Sequence, residues 1–231
     1  MKAAKAEATS AATELLVSVD TKAVVKVGEF SRDGMTRVAT KALDHDFNAD
    51  ALVTPVGILL PQHDDLRIFM ATSKATSDCI VDCVEMWWAD ARLRFPEVKR
   101  ITLLQDNGPE NSGRRTQFLK RMVDFVRDHD IDVRLAYYPP YHSKYNPIER
   151  CWGALERHWN GSLLDTINTV VEFAKTMTWK GVHPVVTLVT KTYAAGVKLS
   201  KTAMKTVEAQ LQRREGLEPW FVDIRCQHPG G

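Results

Sequence analysis

Asp20 closes the apolar run ELLVSVD, Asp106 closes VKRITLLQD, and Glu149 follows Asn146 by three positions in NPIERCW. An acid at the end of a strand-like run sits where side chains leave a sheet and meet a crevice. Three such acids, gathered by one sheet, would form a hard oxygen-donor set suited to Mg²⁺ or Mn²⁺. Two ions held there could clamp the attacking and leaving oxygens of a phosphodiester and polarise the attacking water. Asp106 runs straight into NGPENSG, a string of turn formers that places the acid on a loop. The competing structural reading is also definite. A strand-end Asp commonly serves a turn, and Asn146-Pro147-Ile148-Glu149 has the order of a helix-start box: cap, Pro at the first position, acid at the third. Glu149 therefore has two readings at this level, cap acid or site carboxylate.

The neighbours of these acids suit a polyanion. Arg114, Arg115, Lys120 and Arg121 follow Asp106, and His142 and Lys144 precede Glu149. Asn107 and Asn146 flank the acids as auxiliary polar groups. Tyr137, Tyr138, Tyr141 and Tyr145 offer flat faces for stacking on unpaired bases. Lys or Arg on phosphates, Lys144 included, would supply affinity rather than sequence choice. A basic tail segment carrying Lys201, Lys205, Arg213 and Arg214 is a further candidate contact for DNA or a second subunit.

Elements must bring the acids together. Residues 14–20 alternate, with Leu15, Val17 and Val19 on one side and Ser18 and Asp20 on the other, which predicts a half-buried strand. Residues 22–52 are polar and irregular. ALVTPVGILLP and DLRIFMATS around QHDD predict a hairpin. A helix capped by Thr76 or Ser77 follows and ends at Phe95-Pro96. Then come a strand over 98–106, a helix over 114–129 with Phe118, Leu119, Met122, Val123 and Val126 at helical spacing, a strand stopped by Pro139-Pro140, and a helix with Ile148, Cys151, Trp152, Leu155 and Trp159 as its stripe. A three-strand antiparallel meander followed by α-β-α-β-α predicts an α/β protein with one mixed sheet. The expected organisation is a flexible lead-in (1–13), a catalytic domain (14–160) and a C-terminal extension (161–231) packed on or continuing it. That extension reads as a helix, an extended run from VHPVV to VKLS, a basic helix and a closing strand.

Bulk properties are permissive. The 231 residues carry a net charge of +2, with 44% hydrophobic and 26% charged residues, so a nucleic-acid partner must be argued from local patches. No apolar run is long enough to span a bilayer. Four scattered cysteines do not form a disulfide framework and fit a reducing, cytoplasmic setting. Cys79 and Cys83, one turn apart, read as a buried pair rather than metal ligands.

VSVDTK, LLQDNGPENSG, PPYHSKYNPIE and the tail from TWKG through YAAGVKLS resemble, in order from about Leu15 to Trp220, the DDE transposases of bacterial insertion sequences, in particular the ISAzo-type branch of the retroviral-integrase superfamily. The resemblance implies an RNase H-like fold. It implies Asp20, Asp106 and Glu149 as a catalytic triad holding two Mg²⁺ or Mn²⁺ ions, and cleavage of DNA at element ends to leave a 3′-hydroxyl that attacks target DNA. DNA is the implied partner, with a homo-oligomer allowed and a cytoplasmic, nucleoid-associated setting. Two positions depart from the family pattern: Glu110 is an extra acid after Asp106, and Pro147 stands where a Lys is usual. The stretch before Asp20 is too short for the helix-turn-helix segments such transposases carry, so an isolated catalytic domain is expected. The alternatives are an RNase H-like nuclease that only hydrolyses, and an inactive DNA-binding remnant.

Overall fold

The structure, a computed structural model, describes residues 13–30, 49–139 and 145–226. Its first strand, β1 (Glu14–Thr21), has the alternation expected from its sequence, but both faces are covered. Leu15, Val17 and Val19 enter one core, while Ser18 and Asp20 on the opposite face are also buried. The expected half-buried strand is thus a fully buried one, because a later helix lies over its polar face.

β2 (Val25–Val27) falls in the region that sequence periodicity left unassigned, and it pairs with the outer part of β3 (Ala51–Leu60). β3 and β4 (Asp65–Ala71) form the expected hairpin. Helix α1 (Ser77–Arg94) starts at Thr76, whose side chain accepts from the Cys79 backbone N–H, and ends at Phe95. β5 (Arg100–Gln105), α2 (Thr116–His129), β6 (Asp132–Tyr137) and α3 (Glu149–Trp159) follow in the expected order. Beyond these come α4 (Ile167–Thr176), β7 (Val185–Val189), α5 (Lys201–Glu208), β8 (Leu211–Arg213) and β9 (Phe221–Ile224).

One mixed sheet of nine strands results, in the order β7-β4-β3-β1-β5-β6-β9-β8 with β2 beside β3. β1, β5 and β6 are parallel, and the β1–β3 and β3–β4 pairs are antiparallel. Alternation of side chains across the pleat divides the interior in two. On one face α1 and α2 bury Ile80, Val84, Trp87, Phe118 and Phe125 against the strands. On the other, α3 and α4 bury Ile148, Trp152, Leu155 and Val170. The whole predicted stripe of α3 is buried, as are Cys79 and Cys83, which carry free thiols.

The residues after 161 extend this sheet at both margins, with β7 added parallel to β4 and β9 added antiparallel to β6. Only Val185–Val189 of the predicted extended run is strand. The segment after it crosses α1 and α2 as an irregular strap, because polar anchors replace a ladder there: Lys191 Nζ and Tyr193 Oη both donate to Asp82, at 2.6 and 2.9 Å. The predicted basic helix ends at Glu208, and its last residues turn into β8, where Arg213 pairs with Val222.

Candidate active site

Register brings the first two acids level. In the parallel β1–β5 pair, Glu14 lies beside Arg100 and Ser18 beside Leu104. Carried two residues further, the same register sets Asp20 beside Asp106, just past the end of β5. Residues level with each other on parallel neighbours share a face, and adjacent strands stand about 4.8 Å apart.

The third acid is delivered by a latch. Asn146 is buried, and its Nδ2 donates to the Val19 carbonyl at 3.2 Å. Its Oδ1 accepts from Ser18 Oγ, and that hydroxyl accepts in turn from the Ile148 backbone N–H at 3.1 Å. These bonds tie the start of α3 to β1 and set Glu149, its first residue, beside Asp20. Asn146 therefore does not cap the helix: Ile148 holds the cap position with no side-chain bond, and the helix-start box does not form.

Electrostatics record the crowding. Burial, reinforced by the charges of Asp106 and Glu149, pushes the Asp20 carboxyl up to about 7, although the Trp152 indole and a backbone N–H pull it down. Glu149 is also raised, first by its partial burial and then by Asp106. Carboxylates that raise one another's pKa are short of positive charge, and oxygen donors alone suit hard divalent cations. Among the described residues, no three His, Cys, Asp or Glu side chains converge on a single ion as they stand. The donor chemistry fits a divalent site in which ions are shared between carboxylates.

The other sequence candidates divide. Asn107 is exposed, and its Oδ1 accepts from the Gly113 backbone N–H at 3.3 Å, closing its own loop. His142 and Lys144 lie outside the described residues, as does Tyr141. Glu110, the extra acid, is engaged elsewhere: it accepts from Arg115 Nη2 at 3.1 Å and from the Ser77 backbone N–H at 3.3 Å, fastening the loop to the start of α1. Arg121 bridges Asp78 and Asp82 at 2.9 and 2.8 Å, and Lys120 pairs with Asp124 one turn on. Arg114 is exposed. Arg213 pairs with Glu208 and donates to the Gly113 carbonyl at 3.0 Å. Stacking on bases is excluded for Tyr137 and Tyr138, which are buried at 0% and 4% exposure because both faces of β6 are covered; Tyr145 is 55% exposed.

Two site residues were not legible as such. Ser18 reads as the polar face of a strand, and Trp152 as part of an apolar stripe. Yet the Trp152 Nε1–H donates to Asp20 Oδ2 at 2.7 Å. The available signal was chemical, since a buried indole N–H needs an acceptor. Next to Asp106 an open cleft of about 340 Å³ is lined by Thr21, Lys22, Thr54, Lys74 and Asn111 among others.

Residues 2–226 match the family model described as the Rhodopirellula transposase DDE domain. No curated protein matches the chain in sequence. Among solved structures, the chain is similar to the Mos1 transposase paired-end complex with the left transposon end, at 10% identity and a TM-score of 0.52, over 70% of this chain and 46% of that one. It is also similar to the Mos1 mariner paired-end complex with Mn, at 12% identity and a TM-score of 0.48, over 74% of this chain and 49% of that one. The chain thus spans less than half the length of either. At such identity the first likeness speaks for the fold alone, an RNase H-like one.

Proposed function

Because the chain belongs to the Rhodopirellula transposase DDE domain family, we propose that it is a transposase catalytic domain, cleaving DNA at element ends and joining the freed 3′-hydroxyl to target DNA with Mg²⁺ or Mn²⁺. The observation that carries this reading is that Asp20, Asp106 and Glu149, far apart in sequence, lie near enough for Asp20 to feel both other charges. Asp20, Asp106 and Glu149 would hold two ions. Such ions, when bound, polarise the attacking oxygen and stabilise the leaving one, and one site serves both cleavage and joining because each is a phosphodiester displacement.

The chain's own residues prepare this site. Ser18 and Asn146 fix the start of α3 and with it Glu149. Burial favours the proton on Asp20, so that carboxyl must shed it before serving as a ligand, and ion affinity should rise with pH until that proton is lost. The cleft beside Asp106 and the exposed Arg114 are the proposed path for the DNA backbone, with Lys74 (side chain 66% exposed, 3.8 Å from Glu110) as its most accessible cation along the cleft wall. Arg115, Lys120 and Arg121 would reach phosphates only by leaving their present acidic partners. The ends recognised, the target and assembly into a homo-oligomer belong to this proposal as well.

The test is Asp106→Asn. A supercoiled plasmid with Mn²⁺ should be nicked by the parent chain and not by the variant, with the variant's thermal unfolding unchanged. Undiminished nicking by Asp106→Asn would remove the triad. Labelled element-end oligonucleotides separate transfer from hydrolysis: joined products mark a transposase, and nicks alone mark a nuclease.

A further inference from the structure

We propose that Trp152 is a positioning residue of this site, orienting the Asp20 carboxylate so that one of its oxygens stays available to a divalent ion. The inference rests on the functional reading above. An indole has a single donor and no acceptor, so the 2.7 Å bond from Trp152 Nε1 fixes Asp20 Oδ2, and with the Thr21 backbone N–H as a second donor the carboxylate keeps lone pairs for an ion. Outer groups of this kind fix the orientation of metal-binding side chains.

The surrounding sequence is arranged to place that one bond. Asp20 lies directly across from Gly57 in the β1–β3 pair. A Cβ on Gly57 would stand 2.5 Å from Trp152 Cη2 and 2.7 Å from Cζ2, closer than such atoms come. A missing side chain on β3 therefore lets the indole descend onto the sheet, and the edge that descends is the one carrying the N–H. Trp152 is 5% exposed, so water does not compete for that donor. Glu149 and Trp152 stand three residues apart on α3 and share a face. One short helix thus carries one proposed ligand and the holder of another, and the Ser18–Asn146 latch sets both at once.

Mn²⁺ binding to the full chain, measured as free ion by electron paramagnetic resonance, tests this. Trp152→Phe keeps most of the ring and deletes the N–H; 3-benzothienylalanine at the same position keeps the whole bicyclic shape. Either should weaken Mn²⁺ binding about tenfold or more, the range seen when outer-shell partners are lost, with the second still unfolding in one cooperative transition. In an Asp20→Asn background, Trp152→Phe should have no further effect, since a positioning role acts only through that carboxylate. Parent-like affinity in both position-152 variants, or an equal loss with and without Asp20, overturns the assignment and leaves the functional reading standing. Absence of Mn²⁺ binding by the parent chain, or an Asp20→Asn variant that binds as the parent does, overturns the functional reading and this inference with it.

Discussion

Asp20 is a carboxyl group held where its charge is disfavoured, and the cost has a sign. Its folded-state pKa of about 7 lies above the ordinary 3.8. Between these values the folded chain keeps a proton that the unfolded chain releases, so the metal-free domain loses stability as pH rises through that window and levels off above it. Urea unfolding at about pH 5 and about pH 8 should show the loss, and Asp20→Asn should reduce it. Adding Mg²⁺ at the higher pH should raise the unfolding temperature of the parent chain more than that of the variant. The acids themselves were legible, because each ends an apolar run or opens a helix. The pairing of their basic neighbours was not legible: Arg115 meets Glu110 five positions back, and Arg121 meets Asp78 and Asp82, which only the packing of α1 against α2 brings near.

Helix α3 shows how an element can be legible while its attachment is not. Its stripe of Ile148, Cys151, Trp152, Leu155 and Trp159 follows from periodicity alone. That it is bolted to β1 through Ser18 and Asn146, 128 residues apart, does not. Ser18→Ala removes a buried hydroxyl that serves the Ile148 N–H and Asn146 together, and should cost about 1–3 kcal/mol in chemical denaturation. Gly57→Ala should destabilise by a similar 1–3 kcal/mol through overpacking under Ile148 and Trp152. It should also weaken Mn²⁺ binding, since α3 cannot back away without taking Glu149 along. A glycine inside a strand signals close approach, but only the fold says what approaches. The strap after β7 reads as an extended run, but that its latter part pairs with no strand among the described residues is not legible: Asp82, on α1, holds it from outside.

Across the whole molecule, the sheet is wider than the middle that holds the acids. Asp20 lies in β1 and Asp106 just past β5, yet the margins beside β4 and β6 are made by β7 and β9 from the C-terminal part of the chain. Val189, Tyr193, Val207, Val222 and Ile224 sit in the same core as Leu15, Val17 and Leu103 of β1 and β5. A chain cut after residue 160 should therefore expose open strand edges and core apolar surface, and elute as aggregate in size-exclusion chromatography, where the full chain elutes as a defined species. The class of fold was legible from the order of strands and helices; how the C-terminal part joins the sheet was not, since short strands such as Leu211–Arg213 leave little periodic trace. The arrangement also sets a timetable. A ribosome making this polypeptide finishes all three acids well before it makes the strands that seal either border of the sheet. Domains fold as units during synthesis, so the proposed site is complete only once β7 and β9 have joined the sheet that holds it.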